Sequence, residues 1–236
     1  MGEKTASFSI AGLTFDWPVI ISVTITMAIV FFVLYWMAHK LTMKPKGKQN
    51  ALEMIIDFTN GIVETSLPNQ IGNNLKFYAF TLFMFIFMAN QIGLILHISV
   101  DGVTFLKSPT ADPLIALTLA LISIGISHYL SVSQLGFKKY VKTVFLSPYP
   151  ALLPINLIDQ FTSYMTLGLR LFGNIFAGET VLALLWQFAK AAGLLSLVPG
   201  MLMTIVWIAF SLFIGAIQAY VFVTLTMVYT SEKLEV

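Results

Sequence analysis

Apolar positions in this chain gather into five runs, each too long for the core of a soluble domain, with polar clusters between them. The first reads from about 17 to 37, with Trp17, Tyr35 and Trp36 suited to the two membrane interfaces. A second covers about 75–97 and a third about 113–132. Two longer runs follow, about 152–189 and 194–229, separated by Lys190 and Gly193. Residues 50–67 are too polar to span, yet Leu52, Ile55, Ile56, Thr59, Ile62 and Val63 recur at helical spacing opposite Glu53, Asp57, Asn60 and Glu64. That pattern predicts an amphipathic helix, on the membrane surface or packed against a partner. Turn signals at Asp101-Gly102, Ser108-Pro109 and Asp112-Pro113 mark a loop between the second and third runs.

The last two runs exceed what a bilayer needs. As helices of about 36 residues they reach roughly 54 Å, against roughly 30 Å of hydrocarbon. They must tilt, bend or protrude. Gly168, Gly173 and Gly178 offer places to bend and let another helix approach closely.

Composition agrees with the pattern. Hydrophobic residues make up 58% of the chain and charged residues 10%, far from a soluble domain's balance. The expected fold is an all-α polytopic membrane protein, residues 1–236 forming one membrane domain of five spanning helices plus the amphipathic one, with the last two helices a tilted hairpin. A β-barrel would alternate apolar and polar positions over short segments instead. Residues 1–16 are short and mixed, without a secretory signal pattern. A net charge of +2 gives no reason to expect nucleic acid, and the absence of cysteine removes thiol chemistry. Phosphate-cradling glycine loops, metal-type His/Glu pairs and Gly-x-Ser-x-Gly are missing, so neither ATP binding nor a cofactor is expected. Loops 38–75 and 133–150 hold seven lysines, and Lys233 shares their side; Lys4, Lys107 and Lys190 fall opposite. The positive-inside rule then puts the N-terminus outside and the C-terminus in the cytoplasm.

Against this background Arg170 stands out. It is the only arginine, and it lies in the fourth run with about fifteen apolar-rich residues on either side. A guanidinium stays charged at any physiological pH, and holding it mid-membrane costs roughly 2.5–3.5 kcal/mol on insertion scales. Such a residue is a functional-site candidate from the outset. Asp159 precedes it by three helical turns, Thr166 by one, and Asn174 follows by one, giving a polar stripe on one face. Glu179 falls nine residues beyond, on the opposite face of an ideal helix, so it is no intrahelical ion-pair partner. The last run contributes Thr204, Ser211 and Gln218 at seven-residue spacing; Gln218 can orient Arg170 or a water but cannot titrate. Asn90 and Gln91 in the second run need partners at that depth and could line an aqueous cleft. His97 and His128 sit near span ends, where an imidazole could shuttle protons but more often serves structure.

The run from Leu167 to Glu179, Leu-Gly-Leu-Arg-Leu-Phe-Gly-Asn-Ile-Phe-Ala-Gly-Glu, resembles the signature of subunit a of the F-type ATP synthases. The segment from Ile217 to Thr226 is similar to that family's last-helix motif. The likeness extends over the whole chain in span order, though only these two segments are specific. It implies a non-catalytic proton-channel subunit of a bacterial plasma membrane, packed against a rotating c-subunit ring. Further implied partners are a b-subunit peripheral stalk, reached through the amphipathic segment, and, indirectly, a soluble ATPase sector. It implies that protons enter one half-channel, ride the ring on a carboxylate and leave by another, with Arg170 between the two. Glu179 would serve the outer half, Gln218 would sit near Arg170, and Asp159 suits the cytoplasmic half. Some relatives place a titratable group where this chain has Ser211, so the resemblance leaves Ser211 a weaker candidate, as are Asn90 and Gln91. A secondary transporter binding an anion at Arg170 is the rival, but it predicts internal repeats that the sequence lacks.

Overall fold

A computed structural model describes residues 7–234, apart from 11–12, 45, 68, 96–97, 101–102, 107, 148 and 192. Seven helices carry the fold: α1 (Trp17–Ala38), α2 (Lys48–Ser66), α3 (Asn69–Ile95), α4 (Pro113–Leu135), α5 (Phe137–Val144), α6 (Leu153–Ala191) and α7 (Leu194–Leu234). Five of them are long and apolar enough to cross a membrane, and the protein is a multi-pass helical membrane protein. At the end where α3 meets α4, strands β3 (Ile98–Val100) and β4 (Val103–Leu106) form an antiparallel hairpin. A second hairpin, β1 (Ser7–Ile10) with β2 (Leu13–Asp16), precedes α1. These are additions to an otherwise helical architecture. The residues Asp101-Gly102 and His97, at the expected end of the second span, lie outside the described residues.

Three boundaries shift for identifiable reasons. Helix α3 starts at Asn69 rather than near Leu75, because its first turns are amide-rich and carry no hydropathy signal. The Lys76–Glu64 ion pair at 2.6 Å ties it to α2. The stretch 133–150 is not all loop. Phe137, Tyr140, Val141 and Val144 share a helical face, and α5 forms after a turn that Gly136 makes at φ 78°. Tyr140 is buried, its hydroxyl 2.5 Å from His128 Nδ1 on α4, and burial pushes its phenol up from the usual tyrosine range. His128 Nε2 faces Lys233 Nζ at 3.4 Å, so this histidine joins α4, α5 and the end of α7. Finally, α7 runs five residues past Tyr229, to Leu234.

The core sits where α3, α4, α6 and α7 cross, around Ile86, Leu167, Leu171, Phe222, Val223 and Met227. Between membrane helices close approach comes from small residues, since lipid tails solvate leucine as well as another helix does. Helix α4 supplies a stripe of them: Ala116, Ala120, Ser123, Ser127 and Ser131, all buried. Opposite it, a Cβ at Gly168 would lie 3.1 Å from Leu117 Cα, so α6 seats on α4 at a glycine. Helix α1 is peripheral, burying Pro18, Ser22 and Thr26 while exposing Phe31, Phe32, Tyr35 and Trp36. The amphipathic α2 packs on α3 and α7 through Leu52, Thr59, Ile62 and Val63.

Helices α6 and α7 form an antiparallel hairpin of 39 and 41 residues. It turns at Gly193, whose φ of 63° suits glycine. At Gly200 an added Cβ would fall 2.7 Å from Ala189 Cα, so the two backbones nearly touch. One hairpin register accounts for both that contact and the approach of Gly178 to Ser211. Extended further, it sets Gln218 at the depth of Leu171.

Candidate functional site

Arg170 projects from the middle of α6 on an exposed face, and among the described residues it has no hydrogen bond or ion pair. Asp159 is exposed three turns earlier. Neighbouring apolar side chains are exposed as well, with Leu169 47%, Phe176 48%, Phe213 64% and Ile217 42% open. A guanidinium bordered by open apolar surface at membrane depth is costly unless an anion meets it there.

Asn174 departs from the stripe it shares with Arg170 in sequence. With Ala177, Gly178, Trp207, Phe210 and Ser211 it lines a cavity of about 70 Å³ between α6 and α7. Its Nδ2 is buried without a partner, and so is Gln218 Nε2 in the same helix pair. Trp207 Nε1 donates to the Gly178 carbonyl at 3.0 Å and closes one side. Buried amide donors left unpaired are expensive, and this cavity, apolar along Ile175, Phe210 and Ile214, is large enough for a water beside Asn174 and Ser211. Gly178 faces α7 inside the chain, where its lack of a side chain lets that helix come close, while Gly173 has open space around it.

Glu179 is half-buried on the side away from Arg170, as the nine-residue spacing requires. Its Oε1 accepts from the backbone N–H of Ser108 at 3.3 Å, in the connection between α3 and α4. Ser108 Oγ meets Thr110 Oγ1 at 2.8 Å, Thr110 donates to Asn90 Oδ1 at 2.8 Å, and Asn90 Nδ2 donates to the Gly215 carbonyl at 2.9 Å. Gln91 Nε2 donates to the Leu212 carbonyl at 3.1 Å. Asn90 and Gln91 therefore both bind α7 backbone within two turns of Gln218. Ser108 and Thr110 went unread in the sequence, where Ser108-Pro109 signals only a turn.

At the opposite end a second, more polar cavity of about 250 Å³ lies between α5, α6 and α7. Asn156, Gln160 and Ser163 line it from α6, and Tyr229, Glu232 and Lys233 from α7. Gln160 Oε1 is buried without a partner. Asn156 and Ser163 precede Arg170 by fourteen and seven residues, nearly its own face, whereas Asp159 stands outside the cavity. A sequence signal existed here, since seven-residue spacing is visible in Asn156, Ser163 and Arg170.

The described residues contain no group of His, Cys, Asp and Glu able to hold a metal ion. The described arrangement holds one cation, Arg170, with polar surface on two sides of it at different depths.

A family model described as ATP synthase A chain matches residues 20–231. The chain is 52% identical over 237 residues to ATP synthase subunit a of Enterococcus hirae, covering 100% of this chain and 99% of that one. It is 46% identical over 234 residues to ATP synthase subunit a of Pediococcus pentosaceus, covering 99% and 98%. With the Listeria monocytogenes subunit a it shares 41% over 237 residues, covering 99% and 98%.

Proposed function

The chain belongs to the ATP synthase A chain family, and from that premise we propose that it is the proton-channel subunit of an F-type ATP synthase. It would work as two offset half-channels against a ring of c subunits, in a bacterial plasma membrane with the N-terminus outside. It performs no bond-making chemistry itself, and the peripheral stalk and soluble ATPase sector are its further partners.

The observation that carries this reading is Arg170: a permanent charge on an open apolar face, with no hydrogen bond or ion pair to any described residue. A ring carboxylate arriving at that face is held in its ionised form by the guanidinium. The guanidinium does not release a proton, so none passes straight through. From the outer side a proton reaches the carboxylate by way of Glu179 and the cavity lined by Asn174 and Ser211. Neutralised, the carboxylate leaves the arginine and turns away into lipid. After a circuit, a neutral carboxyl gives its proton up to the polar cavity at Gln160 and Ser163, with Asp159 beside the exit, and returns to Arg170 ionised. Gln218, level with Arg170 on α7, orients the guanidinium or a bound water. The driving force is about 2.3 kcal/mol per charge per 100 mV.

Arg170→Ala tests the proposal. The complex is expected to assemble with its ring and soluble sector while ATP-driven proton pumping is abolished. Normal pumping by an assembled Arg170→Ala complex refutes it.

A further inference from the structure

A buried turn, Ser108–Ala111, sits against α3, α4 and α6 where Glu179 faces the α3–α4 connection. Ser108, Thr110 and Asn90 are all at most 2% exposed. Glycine at position 93 lets the turn come this close, since a Cβ there would lie 2.6 Å from Ser108 Cα. Across the bundle, a Cβ on Gly215 would lie 3.3 Å from Asn90 Cβ, so α7 also meets this chain at a glycine.

We propose that the Ser108–Thr110–Asn90 chain is a strut that positions the Glu179 carboxylate against α7, with Ser108 and Thr110 as positioning residues for proton entry. This inference rests on the reading of Glu179 as the outer proton-carrying group.

Counting hydrogens gives the chain one direction. Asn90 commits Nδ2 to the Gly215 carbonyl, so its Oδ1 accepts, and the acceptor there takes the hydrogen of Thr110. Thr110 Oγ1, its own hydrogen spent on Asn90, then accepts from Ser108, whose single hydrogen is shared with the Ala89 carbonyl at 3.2 Å. The far end is a carboxamide bonded to a peptide carbonyl, and neither takes up a proton at physiological pH. The chain therefore does not conduct. It fixes the Ser108 backbone N–H, which touches Glu179, in a set position relative to α3 and α7. Fully satisfied buried networks of this kind hold geometry, while partly satisfied ones do not. Gly215 is one turn from Gln218, so the strut also ties the outer carboxylate to the helix that carries Gln218.

The test is a double-mutant cycle in the intact complex, read as the pH dependence of ATP synthesis against the outer pH. Thr110→Val keeps the shape and removes the hydroxyl. It is expected to displace the half-maximal outer pH by about one unit at most, the size of one neutral hydrogen bond. In a Glu179→Gln background the same substitution is expected to leave the profile where Glu179→Gln alone puts it, because the strut acts through that carboxylate. Ser108 has φ −56° and ψ 128°, which proline accepts, so Ser108→Pro deletes the touching N–H without forcing the backbone and serves if Thr110→Val lowers complex yield. It should displace the profile in the same way. A Thr110→Val or Ser108→Pro complex with the wild-type profile overturns the inference, as does an equal displacement with and without Glu179. A Glu179→Gln complex that itself behaves as wild type sinks the underlying reading instead, and separates the two failures.

Discussion

At the residue scale the site is a set of unpaired groups that each need something absent from the single chain. Arg170 needs an anion, and the amide nitrogens of Asn174 and Gln218 need acceptors. The cavity beside Asn174 has room for a water that would meet the Asn174 donor, and this leads to a test that leaves the fold intact. A methyl at Gly178 would rest 3.7 Å from Ser211 Oγ, in ordinary contact, while removing about one water's share of the space. Gly178→Ala is expected to leave complex yield unchanged and slow proton transport several-fold; unchanged turnover would take the cavity off the path. Glu179→Gln keeps the hydrogen-bond acceptor for Ser108 but cannot carry a proton. It is expected to slow ATP-driven pumping by about a hundredfold or more, the range of a lost acid–base group, without opening a passive leak. Transport unaffected at every pH would make Glu179 a structural carboxylate. Arg170 and Glu179 were legible in the sequence because charge at membrane depth is costly wherever it points. Ser108 and Thr110 were not, because a hydroxyl in a turn looks alike whether it meets water or a buried amide 20 residues earlier in the chain.

Helices are the level at which pattern served best. The five apolar runs fixed the spans to within a few residues, and the start of α3 was missed because its first turn is Asn69-Gln70-Ile71-Gly72. Helix α5 was missed because eight residues with three lysines look like a topology signal before they look like a helix. What no periodicity contains is the distance between helices. The glycines at 168 and 200 carry that information, and the sequence shows them only as small residues. At Gly200 the neighbour is the backbone of Ala189, which cannot swing aside. Gly200→Val is therefore expected to spread the α6–α7 hairpin, at about 1–3 kcal/mol for overpacking, and to reduce the yield of assembled complex. Recovery of full yield would mean that the hairpin tolerates a wider turn, and that its close approach there is not what sets the depth of Gln218 relative to α6.

Across the whole molecule the two polar regions lie at opposite ends of the bundle, the Glu179 strut with the β3–β4 hairpin and the Gln160 cavity with α5 and the end of α7. Direction of proton flow then depends on which end faces the cytoplasm. We propose that the Gln160 cavity faces the cytoplasm: Lys138, Lys139 and Lys142 are exposed on α5, beside that cavity, while Lys190 is exposed at the far end of α6. Only loops near a span take part in the charge bias, and α5 follows α4 directly after Gly136. The chain contains no cysteine, so a single introduced thiol reports on one position without background. Lys142→Cys is expected to react with a membrane-impermeant maleimide in inverted vesicles and not in intact cells, and Lys190→Cys the reverse. The opposite pattern would put Glu179 on the cytoplasmic side and exchange the roles assigned to the two cavities. Labelling of both positions from one side would be incompatible with an odd number of crossings between them, and would mean that α6 does not traverse the bilayer with Arg170 at its centre.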